Sequence, residues 1–307
     1  MVGEAVMKRI VINGPTGAIG MALIEKCIKE KIEVLAICRR GSTRMGNIPK
    51  SKYIKVIECN LSEIINLKYE GGFEVFYHLA WEGTTGEARN DVYLQNKNVQ
   101  YTLDAVHLAN RLGCHTFIGA GSQAEYGRFE GKLESTTPTF PENGYGMAKL
   151  CAGQMSKVLC KQLGIKNIWV RILSVYGPYD NMNTMIMSTI DNLLNGLKPV
   201  FTKGEQMWDY LYSGDAAEAL YLIGIRGKNG KVYCLGSGKA RPLYEYINKI
   251  RDSVNPNLTI GLGEIPYNEN QIMHLWADIE DLKLDVGFFP TVNFSNGIKK
   301  TIKTLMN

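Results

Sequence analysis

Hydrophobic positions in the first half of the chain fall into short runs, separated by stretches whose apolar residues have helical spacing. The runs cover residues 8–13, 53–59, 74–81, 114–121 and 165–173, together with the segment EVLAIC. Helical spacing follows the first run and recurs near 91–112 and near 144–163. Strands that alternate with helices predict an α/β fold, in which a doubly wound parallel sheet binds ligands at the carboxyl ends of its strands.

From residue 174 onward the pattern is less regular, although further strands are expected near 209–212 and 231–235. We therefore predict that residues 7–173 and about 207–236 form the sheet domain. Residues of about 174–206 and 237–307 are predicted to form a smaller C-terminal lobe over the cleft, and such a lobe sets specificity.

Composition narrows the possible functions. The chain has 307 residues, 45% of them hydrophobic, and no basic run concentrates its net charge of +5. Nucleic acid and membranes are therefore not expected as partners. Since the apolar runs fall short of the roughly 18 residues of a membrane helix and no signal-peptide pattern is present, we expect a cytoplasmic protein. Seven cysteines without a C-x-x-C pair predict neither disulfides nor a metal site.

A glycine-rich turn, GPTGAIG, joins the first run to the first helix. Gly14 permits the tight turn, Gly17 lets a pyrophosphate approach the backbone, and Gly20 lets the helix pack on the strand. The N-terminus of the helix then faces the negative charge. This context predicts a dinucleotide-binding site.

Arg39 and Arg40 follow the second run, where an NAD-binding fold has an acidic residue for the ribose 2′-hydroxyl. Guanidinium groups suit a 2′-phosphate, so NADP(H) is favoured and NAD(H) is the alternative. Loop arginines that are only solvated are the other interpretation.

The segment ENGYGMAKLCAGQM contains Tyr145 and Lys149, four residues apart and hence on one face of the predicted helix. A free tyrosine is a poor acid or base at neutral pH. A nearby cation favours the phenolate, so we expect Lys149, together with a cationic nicotinamide, to lower the pKa of Tyr145. Ser122, at the end of the fifth run, could hydrogen-bond the same substrate oxygen. These residues predict a catalytic site that uses a tuned tyrosine.

With these motifs the chain resembles the extended short-chain dehydrogenases/reductases, in the group of nucleotide-sugar epimerases and dehydratases. The resemblance also rests on FYHLAW, GSQAEYG, VRILSVYGP and ADIEDLKLDVGF. It implies a Rossmann domain, a nucleotide-sugar substrate, a homodimer formed through the helices near 91–112 and 144–163, and a catalytic triad of Ser122, Tyr145 and Lys149. The cofactor-binding residues that it implies are Gly14, Thr16, Gly17, Ala18, Ile19, Gly20, Arg39, Arg40, Asn60, Leu61, Leu79, Ala80, Trp81, Asn98, Tyr145 and Lys149.

Departures from the family pattern bear on the reaction. The 4,6-dehydratases have an Asp-Glu pair directly after the Ser/Thr, whereas Gln123 and Ala124 stand here, so dehydratase chemistry is disfavoured. Glu125 is expected either to contact a substrate hydroxyl or to be a surface carboxylate. Trp208 is expected either to stack on the substrate or to be a core residue. The candidates for substrate contact are Glu125, Ser174, Asn183, Trp208 and Arg241.

Two reactions fit the triad. A reductase exchanges NADPH at each turnover, whereas an epimerase keeps NAD, oxidises the sugar and returns the hydride. Because of Arg39 and Arg40, the sequence favours NAD(P)H-dependent reduction of a keto group on a nucleotide-linked deoxysugar, with Tyr145 as proton donor. The likeness is greatest to reductases that make dideoxy sugars such as abequose on CDP. An NAD-dependent nucleotide-sugar 4-epimerase is the alternative.

Overall fold

The structure is a computed structural model that describes residues 7–269 and 271–306, so residues 270 and 307 of the predicted lobe lie outside the described residues. In chain order the strands are β1 (Arg9–Asn13), β2 (Glu33–Cys38), β3 (Ile54–Glu58), β4 (Val75–His78), β5 (Thr116–Ser122), β6 (Lys166–Ile172), β7 (Ser174–Tyr176), β8 (Val200–Phe201), β9 (Met207–Trp208), β10 (Tyr210–Tyr212), β11 (Val232–Leu235), β12 (Arg241–Pro242), β13 (Gly261–Leu262) and β14 (His274–Leu275).

Helices alternate with the long strands. The α-helices are α1 (Ala18–Lys29), α2 (Val92–Arg111), α3 (Gly144–Gln162), α4 (Met185–Leu194), α5 (Ser213–Arg226), α6 (Leu243–Val254), α7 (Glu280–Val286) and α8 (Phe294–Leu305). Short 3₁₀ helices cover Thr43–Asn47, Leu61–Asn66, Gly86–Asn90 and Gln123–Glu125. No helix within the described ranges is both long enough and apolar enough to cross a membrane.

Within the described residues, the central sheet has seven parallel strands in the order β11-β6-β5-β4-β1-β2-β3. The chain runs outward from β1 to β3, returns to β4 beside β1, and continues in the opposite direction. This reversal places a crevice at the carboxyl ends of β1 and β4. The predicted doubly wound parallel sheet is confirmed.

The sheet is buried on both faces. Successive side chains of a strand point to opposite faces. Ile10 and Ile12 of β1 pack in a core with α1 and α5, whereas Val11 packs in a second core with α2 and α3. Burial on both sides explains why the strands read as continuous apolar runs rather than as an alternating pattern.

Side-chain caps fix where the two helices nearest the crevice begin. Asp91 accepts a hydrogen bond from the backbone nitrogen of Leu94 at 3.0 Å and starts α2. Asn143 accepts from that of Gly146 at 2.8 Å and starts α3. Both helices lie close to the predicted ranges, and each cap satisfies an N–H group that lacks a partner within its helix.

One predicted element belongs elsewhere. The strand expected near 209–212 is β10, which pairs with β7 in a separate two-stranded sheet rather than in the central sheet. Tyr176 at the end of β7 packs in a third core with residues of α4, α6 and α8. The exact division of the chain into a sheet domain and a smaller lobe stays a prediction.

Candidate active site

The glycine turn forms a cradle at the carboxyl end of β1. Gly14 has a φ of 82°, and a Cβ here would lie 2.6 Å from the backbone nitrogen of Ala80, so only glycine fits. Gly17 is the N-cap of α1, and a Cβ on it would have no described atom within 4 Å. Among the described residues, α1 has neither a side-chain cap nor an acidic residue in its first turn. Its leading N–H groups therefore fit the pyrophosphate of a dinucleotide.

A cleft of about 340 Å³ connects this cradle to the ends of the neighbouring strands. Its lining includes residues that the sequence predicted, namely Gly14, Gly17, Ala18, Ile19, Gly20, Leu79, Trp81, Ser122, Tyr145 and Lys149. It also includes residues that the sequence did not identify, namely Thr84, Ala120, Gly121, Ile172, Leu173, Val175 and Asp180. The glycine turn and the three predicted catalytic residues thus line one cavity.

Tyr145 and Ser122 meet in this cleft. Tyr145 lies in the first turn of α3 and Ser122 ends β5, and both side chains are buried. Ser122 interacts with the Tyr145 hydroxyl and lowers its pKa. The Trp81 and Tyr145 rings are close to perpendicular, with ring centroids 6.1 Å apart. The phenol is therefore held at the strand end, where a substrate oxygen could reach both hydroxyl groups.

Lys149 lies one helical turn further along α3 but turns toward the sheet. Its Nζ donates to the carbonyl oxygen of Ala120 at 2.6 Å and lies 3.8 Å from the centre of the Trp81 ring. The distance from Nζ to the centre of the Tyr145 ring is 5.8 Å. Burial lowers the pKa of Lys149 to about 7, so the ammonium is close to its titration point at neutral pH.

Burial raises the pKa of Tyr145, and the interaction with Ser122 and the positive charge of Arg89 offset this only in part. The Nζ of Lys149 lies against Ala120 and Trp81. The predicted lowering of the Tyr145 pKa also invoked a cationic nicotinamide, so the role of Lys149 in it stays a prediction.

Glu125 is enclosed, with 0% of its side chain exposed. Its Oε2 accepts from Arg171 Nε at 2.7 Å, and its Oε1 accepts from Trp169 Nε1 at 3.0 Å and from the backbone nitrogen of Ser122 at 2.8 Å. Both expectations for Glu125, a substrate contact and a surface carboxylate, are wrong because these partners surround it. The carboxylate instead closes a capping box that fixes the turn carrying Ser122.

The turn after β2 is less positive than its sequence suggests. Arg39 and Arg40 are exposed, and the Arg40 backbone nitrogen donates to Asn60 Oδ1 at 3.2 Å. Arg40 Nε lies 2.9 Å from the carboxylate of Glu63, and Glu58 accepts from a backbone N–H of the same turn at 2.9 Å. Two carboxylates at this turn oppose the charge of a 2′-phosphate, which weakens the argument for NADP(H).

Other predicted cofactor residues do not line the cleft but lie in or contact the segments around it. The buried side chain of Asn98 donates to the Glu82 carbonyl oxygen and accepts from the Glu82 nitrogen, both at 2.9 Å. It thereby fixes the loop that carries Ala80 and Trp81. Thr16 lies half-buried within the glycine turn. Leu61 is buried at the start of its 3₁₀ helix.

The predicted substrate contacts do not form one group. Trp208 Nε1 donates to Ser174 Oγ at 2.8 Å, and both residues are half-buried. Asn183 is exposed in the loop before α4. Arg241 pairs with Glu245 at 3.5 Å and lines a second cavity, which has no described lining residue in common with the cleft. Arg241 is not among the described residues that line the cleft, and substrate roles for all of these residues stay predictions.

Two arginines beside the cleft were not predicted from the sequence. Arg89 Cζ lies 4.2 Å from the centre of the Tyr145 ring. Arg44 Nη2 donates to the carbonyl oxygens of Tyr179 at 2.7 Å and Asp180 at 3.2 Å, although these residues lie 135 and 136 positions further along the chain. Neither arginine belongs to a motif or an apolar pattern. The sequence signal for these two arginines was weak, because it consists only of their position after a strand whose carboxyl end faces the site.

Comparisons with known proteins agree with this geometry. The family model described as "NAD dependent epimerase/dehydratase family" matches residues 10–236. The chain is 25% identical to a protein of Methanocaldococcus jannaschii that is provisionally named UDP-glucose 4-epimerase, and the match covers 97% of this chain and 98% of that protein.

Solved structures share the fold. UDP-N-acetylglucosamine 4-epimerase from Methanobrevibacter ruminantium, in complex with UDP-N-acetylmuramic acid, has a TM-score of 0.88 at 22% identity over 98% of this chain and 99% of that chain. A mutant of UDP-glucuronic acid 4-epimerase from Bacillus cereus, in complex with UDP-4-deoxy-4-fluoro-glucuronic acid and NAD, has a TM-score of 0.84 at 20% identity over 97% of this chain and 99% of that chain.

Proposed function

Because the chain belongs to the NAD dependent epimerase/dehydratase family, we propose that it is an NAD-dependent nucleotide-sugar 4-epimerase acting on UDP-linked sugars. The observation that carries the proposal is the single cleft shared by the glycine turn and by Ser122, Tyr145 and Lys149. The 4-epimerases among its relatives and structural neighbours favour this reaction over the keto-reduction that the sequence ranked first.

In the proposed reaction Tyr145 takes the proton of the sugar 4-hydroxyl while Ser122 holds the same oxygen by a hydrogen bond. NAD, when bound, supplies a nicotinamide that takes the C4 hydride and gives it back. The ketone then turns its other face, and Tyr145 returns the proton as the C4–H bond forms again. No net oxidation occurs, because both the proton and the hydride return to the sugar.

Elimination of water is not supported by the residues next to Ser122. A 4,6-dehydratase needs a second acid and a second base near the triad. Gln123 and Ala124 cannot exchange a proton at neutral pH, and Glu125 is committed to a buried ion pair with Arg171.

NAD is proposed rather than NADP because of charge at the turn after β2. Glu63 neutralises Arg40, and Glu58 adds a further carboxylate at the same turn. A 2′-phosphate would be repelled by these groups, whereas a 2′-hydroxyl could donate to a carboxylate.

Retention of the cofactor between turnovers is supported by Arg44. Its guanidinium connects the 3₁₀ helix Thr43–Asn47 after β2 to the backbone of Tyr179 and Asp180. Asp180 also lines the cleft. This bridge beside the cofactor cleft suits an epimerase, which reuses the same NAD.

Keto-reduction of a nucleotide-linked deoxysugar is the second candidate. The specific observation in its favour is Arg39, which is exposed at the turn after β2 and is free of ion pairs with any described residue. This arginine could pair with a 2′-phosphate.

The test begins with protein purified without added cofactor. Denaturation should release NAD, identified by mass spectrometry, and the intact protein should convert UDP-glucose, UDP-N-acetylglucosamine or UDP-glucuronic acid to its 4-epimer, measured by chromatography. We expect Tyr145→Phe to lower turnover by about 100-fold or more while its NAD content is unchanged. The control is Tyr244→Phe, a more exposed tyrosine on α6. Consumption of NADPH on a 4-keto sugar, with no 4-epimer formed, would establish the reductase instead.

We also propose that the protein is a homodimer that pairs α2 and α3 with their copies. Residues Met147, Met155 and Val158 form an apolar strip on α3, and each is at least 45% exposed. The strip therefore faces away from the sheet. Exposed apolar strips of this kind suit a helix-to-helix interface.

A further inference from the structure

The guanidinium of Arg89 lies over the ring of Tyr145. Its Cζ is 4.2 Å from the ring centre, within the range of a cation–π contact. Arg89 belongs to the 3₁₀ helix Gly86–Asn90, between β4 and α2. This helix is far from Tyr145 in sequence, so the contact depends on the tertiary fold.

The position of Arg89 is fixed from two sides. Its Nη1 donates to the carbonyl oxygen of Thr84 at 3.1 Å. Its backbone packs on the start of α3, because a Cβ built on Gly144 would lie 3.1 Å from the Arg89 carbonyl oxygen. The side chain is half-buried, so its charge is only partly screened by solvent.

The other titratable groups near Tyr145 differ from Arg89 in position or in the sign of their charge. On α3 itself, burial lowers the pKa of Lys149 to about 7, and its Nζ contacts Ala120. Glu125, after β5, is an anion that raises the pKa of Tyr145. His78, at the end of β4, faces Lys149 and is neutral because burial lowers its pKa to about 3.

Arg89 differs from these groups because its side chain is a planar, delocalised guanidinium, which suits stacking on an aromatic ring. Its charge lowers the pKa of Tyr145, together with the hydrogen bond to Ser122. It also lies on the face of the ring rather than at the phenol oxygen. The oxygen therefore stays accessible to Ser122 and to a sugar hydroxyl.

We propose that Arg89 is the positioning residue that favours the phenolate of Tyr145 and holds its ring against Ser122. The inference rests on the proposed function. As the O–H bond of the sugar hydroxyl breaks, the O–H bond of Tyr145 forms, so the phenolate is the form that accepts the proton. Arg89 would act in addition to Lys149.

The test compares Arg89→Gln and Arg89→Lys with wild type. For Arg89→Gln we expect kcat to fall roughly tenfold near pH 7 and the alkaline rise of kcat to move to higher pH than in wild type, because the phenol then ionises without the nearby cation. Arg89→Lys, which keeps the charge, should restore most of the activity. The matched control is Arg251→Gln, since Arg251 pairs with Asp252 on α6. The control should leave the pH profile unchanged.

A second readout does not depend on turnover. The Tyr145 resonance in protein labelled with ¹³C at tyrosine Cζ, assigned with Tyr145→Phe, should titrate at higher pH in Arg89→Gln than in wild type. An unchanged titration, or a higher KM with an unchanged pH profile, would overturn the proposal and leave Arg89 as a structural or substrate contact. If Arg89→Gln does not fold, the titration of Arg89→Lys decides, because a retained charge must keep the Tyr145 titration near that of wild type. Wild-type protein that epimerises no UDP-sugar would contradict the proposed function, and the titration would still test Arg89.

Discussion

Lys149 and Tyr145 lie in one buried cleft and respond to burial in opposite directions. Burial raises the pKa of Tyr145 and lowers that of Lys149 to about 7. The reason is the same for both, because a low-dielectric environment disfavours the charged form of each group. Near neutral pH the pair is thus biased toward an uncharged phenol and an uncharged amine.

This bias predicts a pH dependence of stability. Lys149 has a pKa of about 7 in the folded protein, against an ordinary value of 10.5, so the unfolded chain binds an extra proton between these values. Its contribution to the free energy of unfolding must therefore rise as pH increases from about 7 to about 10. Lys149→Met removes this contribution, so the variant should gain less stability over that range.

Urea unfolding at pH 7, 8 and 9 measures the difference. Lys157→Met, which changes an exposed lysine of the same helix, is the control and should follow wild type. Equal pH slopes for Lys149→Met and wild type would contradict the burial argument.

The sequence identified the three catalytic candidates but not the charges around them. Tyr145 and Lys149 are visible because their spacing fits one helix face, and Ser122 because it ends a strand. The burial of Glu125 depends on Trp169 and Arg171, which lie on β6. Contacts of this kind depend on how strands are ordered in space, and no local pattern in the chain encodes them.

At the scale of elements, an ion pair connects two neighbouring strands. Glu125 directly follows β5 and Arg171 lies on β6, with 0% and 5% of their side chains exposed. The pair is hydrogen-bonded on both carboxylate oxygens. Removal of one partner from such a site leaves an uncompensated buried charge.

We expect Glu125→Gln to lower the free energy of unfolding by about 3–5 kcal/mol, because Arg171 would then remain charged and buried. Glu142→Gln is the matched control, since Glu142 pairs with Arg128 at the surface with 47% of its side chain exposed. That change should cost less than about 1 kcal/mol. Urea unfolding of the two variants at one pH measures both values, and similar losses in the two would refute the buried-pair interpretation.

Element prediction succeeded where local signals agreed and failed where they did not. Helices α2 and α3 match their predicted ranges because periodicity and N-terminal caps point to the same boundary. The predicted sheet strand near 209–212 has the right location but the wrong partner. A three-residue strand such as β10 carries no information about which edge it joins.

At the scale of the whole molecule, the strand order determines where the site forms. Reversal of the chain between β3 and β4 brings the glycine turn next to the end of β4, and β5 then adds Ser122. Alternating strands and helices were enough to predict this arrangement. The boundaries of the smaller lobe were harder to predict, because its strands are short and its loops have few periodic patterns.

The proposed dimer gives a prediction at this scale. A double variant, Met155→Glu with Val158→Glu, places two charges on the exposed apolar strip of α3 and should convert most of the dimer to monomer. Light scattering after size-exclusion chromatography measures the mass. Leu284→Glu, a change at an exposed leucine of α7, is the control and should stay dimeric. A wild-type protein with the mass of one chain would contradict the proposal.

Arg44 has a consequence that reaches beyond binding. It joins the segment after β2 to the loop of Tyr179 and Asp180, and Asp180 lines the cleft in which we propose that NAD binds. Under the proposed function, each protein molecule would then keep one bound NAD between turnovers and would not exchange it with the cell. Its turnover rate would then not follow changes in the cellular ratio of oxidised to reduced pyridine nucleotides. A shortage of nicotinamide would affect newly made chains before it affected chains that already hold NAD.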